Sequence, residues 1–199
     1  MNLYLPKIKF DLLTLYTVFL ALIVSGCATS DSNLSFDNSA DLNTNQTGPG
    51  PYSFECDARS GHFNVSKIQV STEKTHVTGT LQISEIRRHR NWAAFASIHF
   101  GVFNKPPYMG LQVTVMPNKP DSFQFALTGR GNENDRIVFG SIDVTDAPMP
   151  FELTLNRNGN LTVSISGRSK SLSLNVVEPT ELSLTCSTAF VHFSNVIIN

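Results

Sequence analysis

From Tyr52 onward, apolar and polar residues alternate in short runs broken by Gly, Pro and Asn clusters, the period-2 signature of strands with one buried face. Val77, Gly79, Leu81 and Ile83 share one side, and His76, Thr78, Thr80 and Gln82 the other. The alternation recurs in Leu111/Val113/Val115, Phe123/Phe125/Leu127, Phe151/Leu153/Leu155, Leu161/Val163/Ile165 and Leu172/Leu174/Val176. Between Trp92 and Phe100 both sides carry bulk, which predicts a central strand. No helical period stands out. The pattern predicts an all-β, antiparallel two-sheet sandwich over residues 51–199.

Residues opposite one another across an antiparallel pair point to the same side, so the pattern also predicts register. At Asn156-Arg157-Asn158-Gly159-Asn160, a two-residue Asn-Gly loop would set Leu155 against Thr162. A three-residue loop sets Leu155 against Leu161 and Leu153 against Val163, and it puts Gly159 at the left-handed third position. The same matching sets Val144 against Phe151 and Ile142 against Leu153, which places Asp143 directly opposite Glu152 on the non-core side, with Phe139 on the side of Asp143.

Before this region the pattern changes twice. Residues 1–26 have a cationic start (Lys7, Lys9), Asp11, an apolar run from Leu12 to Val24 and then small residues, the layout of a secretory signal. The apolar run is shorter than the roughly 20 residues of a spanning helix. Residues 27–50 are mostly Ser, Asn, Asp, Thr and Gly, ending in Gly48-Pro49-Gly50-Pro51. Such a tether has an r.m.s. reach of roughly 25–30 Å.

Val24-Ser25-Gly26-Cys27 resembles the lipobox of bacterial lipoproteins, in which the Cys becomes the acylated first residue of the mature chain. The resemblance implies lipidation of Cys27 and a membrane partner, several acyl chains giving a firm anchor where one is marginal. Ala28 after that Cys implies, in a two-membrane bacterium, sorting to the outer membrane, facing the periplasm or the cell surface. The alternative is an ordinary signal followed by an unrelated Cys. With Cys27 lipidated, Cys56 and Cys186 remain as an even pair in a compartment that permits disulfides, either bridged or as two buried thiols.

Composition narrows the partners. The chain has 199 residues and a formal net charge of −1, with Lys+Arg 15 against Asp+Glu 16, so no strong field gathers nucleic acid. A hydrophobic content of 41% is enough for a real core.

The order Phe151–Leu155, the Asn158-Gly159 turn, Leu161–Gly167, Leu182-Ser183-Leu184 and Phe193–Ile198 resembles the closing strands of concanavalin A-like (laminin G-like) jelly-roll sandwiches. In these the last strand returns beside the first, which would bring Cys186 towards Cys56. The resemblance implies a sheet face that often presents itself to a polysaccharide, although other members bind proteins. The sequence lacks the Glu-x-Asp-x-x-Glu of the β-glucan hydrolases in that superfamily, the Asp/Asn metal cluster of legume lectins, and the Gly-x-Ser-x-Gly, His-Glu-x-x-His and Cys-x-x-Cys motifs. No family catalysis carries over, and no cofactor is expected.

Candidate chemistry then falls on a few residues. A polar face carrying His99, Gln112, Gln124 and Asp143, with Thr114 and Thr128, suits sugar hydroxyls, against the alternative of an ordinary solvated face. Trp92 is a stacking platform or a packing residue, and Tyr108, after Pro106-Pro107 in a loop, is the more exposed aromatic. The pair Asp143 and Glu152 at about 5 Å would match the carboxylates of a retaining glycosidase, or be two solvated acids. Arg87-Arg88-His89-Arg90 suits anionic lipid or lipopolysaccharide, or is a solvated loop. Asn132-Glu133-Asn134-Asp135 is a weak Ca²⁺ loop or a turn. Three functions follow: a lipid-anchored carbohydrate binder, a glycoside hydrolase or lyase, and a module that binds a protein partner in envelope assembly.

Overall fold

The computed structural model describes residues 50–70, 76–101, 107–116, 118–130, 134–173 and 180–199. The predicted leader, Cys27 and nearly all of the tether lie outside the described residues. Twelve strands are seen: β1 (Tyr52–Asp57), β2 (Phe63–Gln69), β3 (His76–Ile86), β4 (Ala94–Phe100), β5 (Tyr108–Met116), β6 (Lys119–Arg130), β7 (Asn134–Asp143), β8 (Met149–Leu155), β9 (Asn160–Ile165), β10 (Arg168–Ser173), β11 (Glu181–Ser187) and β12 (Ala189–Ile198). Among the described residues there is no helix.

The strands form two antiparallel six-stranded sheets, one in the order β1-β12-β3-β8-β9-β10 and the other β2-β11-β4-β5-β6-β7. The predicted alternation is what closes them on each other. Val77, Leu81, Ile83, Leu153, Leu155, Leu161, Val163 and Ile165 from the first sheet meet Ile98, Leu111, Val113, Phe123, Phe125, Leu127, Leu182 and Leu184 from the second, all buried. Gly79 leaves room for a ring: a Cβ there would stand 2.7 Å from Cζ of Phe151. β4 is interior to its sheet, between β11 and β5, as the bulk on both its sides predicts. The last strand, β12, pairs with β1.

Cys56 on β1 and Cys186 on β11 form a disulfide with Cα atoms 5.9 Å apart, joining one sheet to the other. The three-residue turn is present: Leu155 faces Leu161, Leu153 faces Val163, and Gly159 has φ +78°.

Two predicted registers are corrected. β7 and β8 do not form a hairpin. Asp143 faces Ser122 on β6, whereas Glu152 faces Thr78 on β3 and Ser164 on β9, in the other sheet. The chain stays with β6 through Val144, whose N–H donates to Asp121 O at 3.0 Å, and then crosses between sheets. Secondly, a bulge between Phe125 and Ala126 shifts the β6–β7 register by one residue at Phe139. Phe139 therefore packs on the core, 6.3 Å from Phe125 between ring centroids, while Val138 and Arg136 take the side of Asp143. Asn134 and Asp135 belong to the start of β7 rather than to a loop, and Asn132 and Glu133 lie outside the described residues.

Candidate functional site

The face of the β2-β11-β4-β5-β6-β7 sheet that points away from the core is polar, and the register sets its residues in rows. One row runs Ser183, His99, Gly110, Thr128, Arg136; the next Thr185, Ser97, Gln112, Ala126, Val138; a third Ser187, Phe95, Thr114, Gln124, Ser141. On any sandwich the outward positions of strands are expected to be polar and wet. Here the middle of the face is polar and buried. Ser97, His99, Ser183, Thr185 and Ser187 have no exposed surface, and Thr114 is 5% exposed. Among the described residues, Ser97 Oγ, Thr114 Oγ1 and Thr185 Oγ1 have no hydrogen-bond partner. Burying a hydroxyl without a partner costs on the order of 1–3 kcal/mol, and these three lie beneath the part of the face that solvent reaches, where Gln112 and Gln124 are half-buried and Arg136 is exposed.

His99 is positioned by a missing side chain. Gly110 stands between His99 and Thr128 in its row, and the imidazole spans it, placing Nε2 2.7 Å from Thr128 Oγ1. A Cβ on Gly110 would lie 1.9 Å from Ile98 O and 2.7 Å from His99 Cα, so only glycine permits this approach of β4 and β5. The Tyr108 ring meets the imidazole edge-on at 5.2 Å and 86°. Burial pushes the His99 pKa down to about 3, so the ring is neutral at ordinary pH. The cations that the described register sets in this row are Arg136 at one end and Lys67, opposite Ser183, at the other. Arg136 is the one held by neighbouring side chains. Its Nη2 donates to Gln124 Oε1 at 2.8 Å, and its Nε makes a longer contact of 3.5 Å with Gln112 Oε1. Holding both carboxamide oxygens leaves the two NH₂ groups as oriented donors. Partial burial lowers the Arg136 pKa without removing its charge.

The fold brings His99, Tyr108, Gln112 and Gln124 onto one face. Tyr108 begins β5, half-buried, rather than standing in a loop. Asp143 shares the face but sits at its far corner on the edge strand, opposite Ser122. Glu152 is on the other sheet, where its Oε1 lies 2.9 Å from His76 Nε2. The predicted carboxylate pair is thus absent: each acid lies beside different neighbours. Trp92 is half-buried and stacks on Phe63 at 6.3 Å and 15°, at the opposite end of the face from Tyr108. Four residues of β4, roughly 13 Å, separate the Phe95 row from the His99 row. Among the described residues no group of His, Cys, Asp and Glu is arranged to hold a metal ion.

Sequence alternation missed Arg136. Counting back from Asp143 in steps of two puts residue 136 on the core side; the bulge reverses it. The unbroken apolar run Ile137-Val138-Phe139 is the local signal that the alternation fails there.

No protein-family model matches the sequence, and no curated protein matches it. Solved structures do. An alginate lyase from Alteromonas sp. 272 is similar over 77% of this chain and 90% of its own, at 10% identity and a TM-score of 0.54. A polysaccharide lyase of family 18 is similar over 79% of this chain and 91% of its own, at 12% identity and a TM-score of 0.51. At such identities the likeness establishes the fold, an all-β jelly-roll sandwich of the concanavalin A-like kind.

Proposed function

We propose that the chain is a lipid-anchored protein of a bacterial envelope whose sandwich domain binds a carbohydrate chain across the polar face of the β2-β11-β4-β5-β6-β7 sheet. The observation that carries the binding reading is the pair of half-buried carboxamides, Gln112 and Gln124, whose oxygens the exposed guanidinium of Arg136 holds so that their NH₂ groups stand as oriented donors on the face. Sugar hydroxyls both donate and accept, which matches carboxamides and a guanidinium held in fixed orientation. His99 is a neutral positioning group and Tyr108 a wall. The test is binding of the full chain to an array of bacterial and plant polysaccharides, with and without Ca²⁺, repeated with H99A and R136Q. Saturable binding weakened tenfold or more by R136Q supports the reading. No binding to any glycan, with a protein co-purifying instead, would replace it by the protein-partner function.

A second reading, cleavage of an acidic polysaccharide by elimination, is favoured by the contact of Tyr108 with a neutral His99 on the face that also carries Arg136. Elimination needs a base at the carbon beside a carboxylate and a cation on that carboxylate, and both kinds of group are present. The similarity to two polysaccharide lyases makes the assay worth running. Appearance of an unsaturated product, lost in Y108F, supports cleavage, and a glycan bound but never shortened leaves binding alone. The anchor is tested separately: C27A should remain unprocessed or leave the membrane fraction, and normal retention with acyl labelling would remove the anchor from the reading.

A further inference from the structure

At the end of the sandwich where β1 finishes, two turns lock together. Ser60 Oγ donates to Arg88 O at 2.7 Å, and Arg87 Nη1 donates to Ala58 O at 2.7 Å. Gly61, at φ +78°, leaves the space in which the His89 imidazole lies, since a Cβ there would be 2.8 Å from Nε2. The guanidinium of Arg87 is already engaged by Glu85 and Asp57, which hold its charge firmly. Arg88 differs. It is exposed, its backbone is fixed by Ser60, and among the described residues it makes no ion pair.

Beside Arg88 opens a pocket of about 390 Å³ between residues 86–94 and the β5–β6 turn, within the usual size range of small-ligand sites. Ile86, Trp92 and Met116 give it apolar surface, Arg88 and His89 line one part, and Asp121 supplies a carboxylate. Trp92 is braced by its stack on Phe63, so the indole is pre-oriented. A ligand matching this lining needs an apolar ring face for Trp92, an anionic group for Arg88 and a hydroxyl for Asp121.

We propose that this pocket is a second binding site that takes one acidic sugar residue, a uronate or sulfated pyranose. The proposal rests on the carbohydrate reading of the domain. Asp121 favours a ligand that carries several hydroxyls beside its single anionic group, as an acidic pyranose does, since a carboxylate accepts from hydroxyls. The backbone agrees: β1 runs from Tyr52 to Asp57, so the pocket lies at the end of β1 away from Tyr52, where residues 27–50 join the domain.

The experiment is calorimetric titration of the full chain with oligogalacturonate, oligomannuronate and a sulfated galactan oligomer, each beside its neutral counterpart (methyl-esterified or desulfated). R88Q is the variant, R136Q the comparison, and vesicles containing an anionic phospholipid the separate arm. Arg88 is exposed, so R88Q keeps the fold. The expected result is a tenfold or greater loss of affinity in R88Q for an acidic oligomer, with its neutral counterpart unaffected. Acidic oligomers binding R88Q as tightly as the parent would overturn the pocket while leaving the polar face intact. Binding of none of the oligomers by the parent chain would overturn the pocket, the polar face being judged by the polysaccharide array, and Arg88-dependent binding to vesicles alone would reassign the pocket to lipid.

Discussion

His99 and Gly110 show how far a single position reaches. Alternation puts His99 on the polar side of β4, and that much follows from sequence. Its complete burial does not, because it depends on a glycine one strand away and a threonine two strands away. That burial has a consequence in pH. The folded pKa of about 3 lies below the unfolded value of about 6.5, so below pH 6.5 the unfolded chain binds the additional proton. This contribution to stability is therefore complete above pH 6.5 and falls away as the pH drops towards 3. Among the described residues, those seen against the ring are Tyr108 and Thr128, neither of them a carboxylic acid. In H99Q the decline in unfolding free energy between pH 6 and 3 should be shallower by up to about 1.4 kcal/mol per pH unit, measured by denaturant titration. Parallel pH profiles for the two proteins would contradict it.

Strands and turns were more legible than their neighbours. The alternating runs predicted which side of each strand is apolar, and the Asn158-Gly159 turn fixed its register because only one loop length matches apolar to apolar. Gly159 sits at φ +78°, which a Cβ disfavours, so G159A should cost about 1 kcal/mol in the same titration; an unchanged midpoint would mean that the loop relaxes. The step from β7 to β8 shows the limit. Consecutive strands with matching apolar sides read as a hairpin, but the pattern says only which face is buried, not which sheet buries it. Both Asp143 and Glu152 lie on non-core sides as the alternation has them, yet a change of sheet over residues 144–148 parts them. The bulge at Phe139 is a second failure of the same kind, since one extra residue reverses the facing of every position before it, Arg136 included.

At the scale of the molecule, the disulfide ties the first strand of one sheet to the penultimate strand of the chain in the other, across a sequence separation of 130. A loop of that size, closed in the unfolded state, contributes about 4–5 kcal/mol in the chain-entropy account. C56S, or reduction of the parent, should lower the unfolding free energy by about 2–5 kcal/mol, and equal stability of oxidised and reduced protein would refute this.

The strand order also decides when the domain can exist. β11 stands between β2 and β4, and β12 between β1 and β3, so without residues 181–198 each sheet loses the strand that joins its first strand to the rest. A chain emerging from its N-terminus, from a ribosome or through a translocation pore, carries β1 and β2 as unpaired edges until β11 and β12 arrive. Folding is then coupled to the arrival of β11 and β12: a product stopped short of Glu181 would be an open-edged intermediate for proteases and holding chaperones, and assembly of both sheets waits for these two strands.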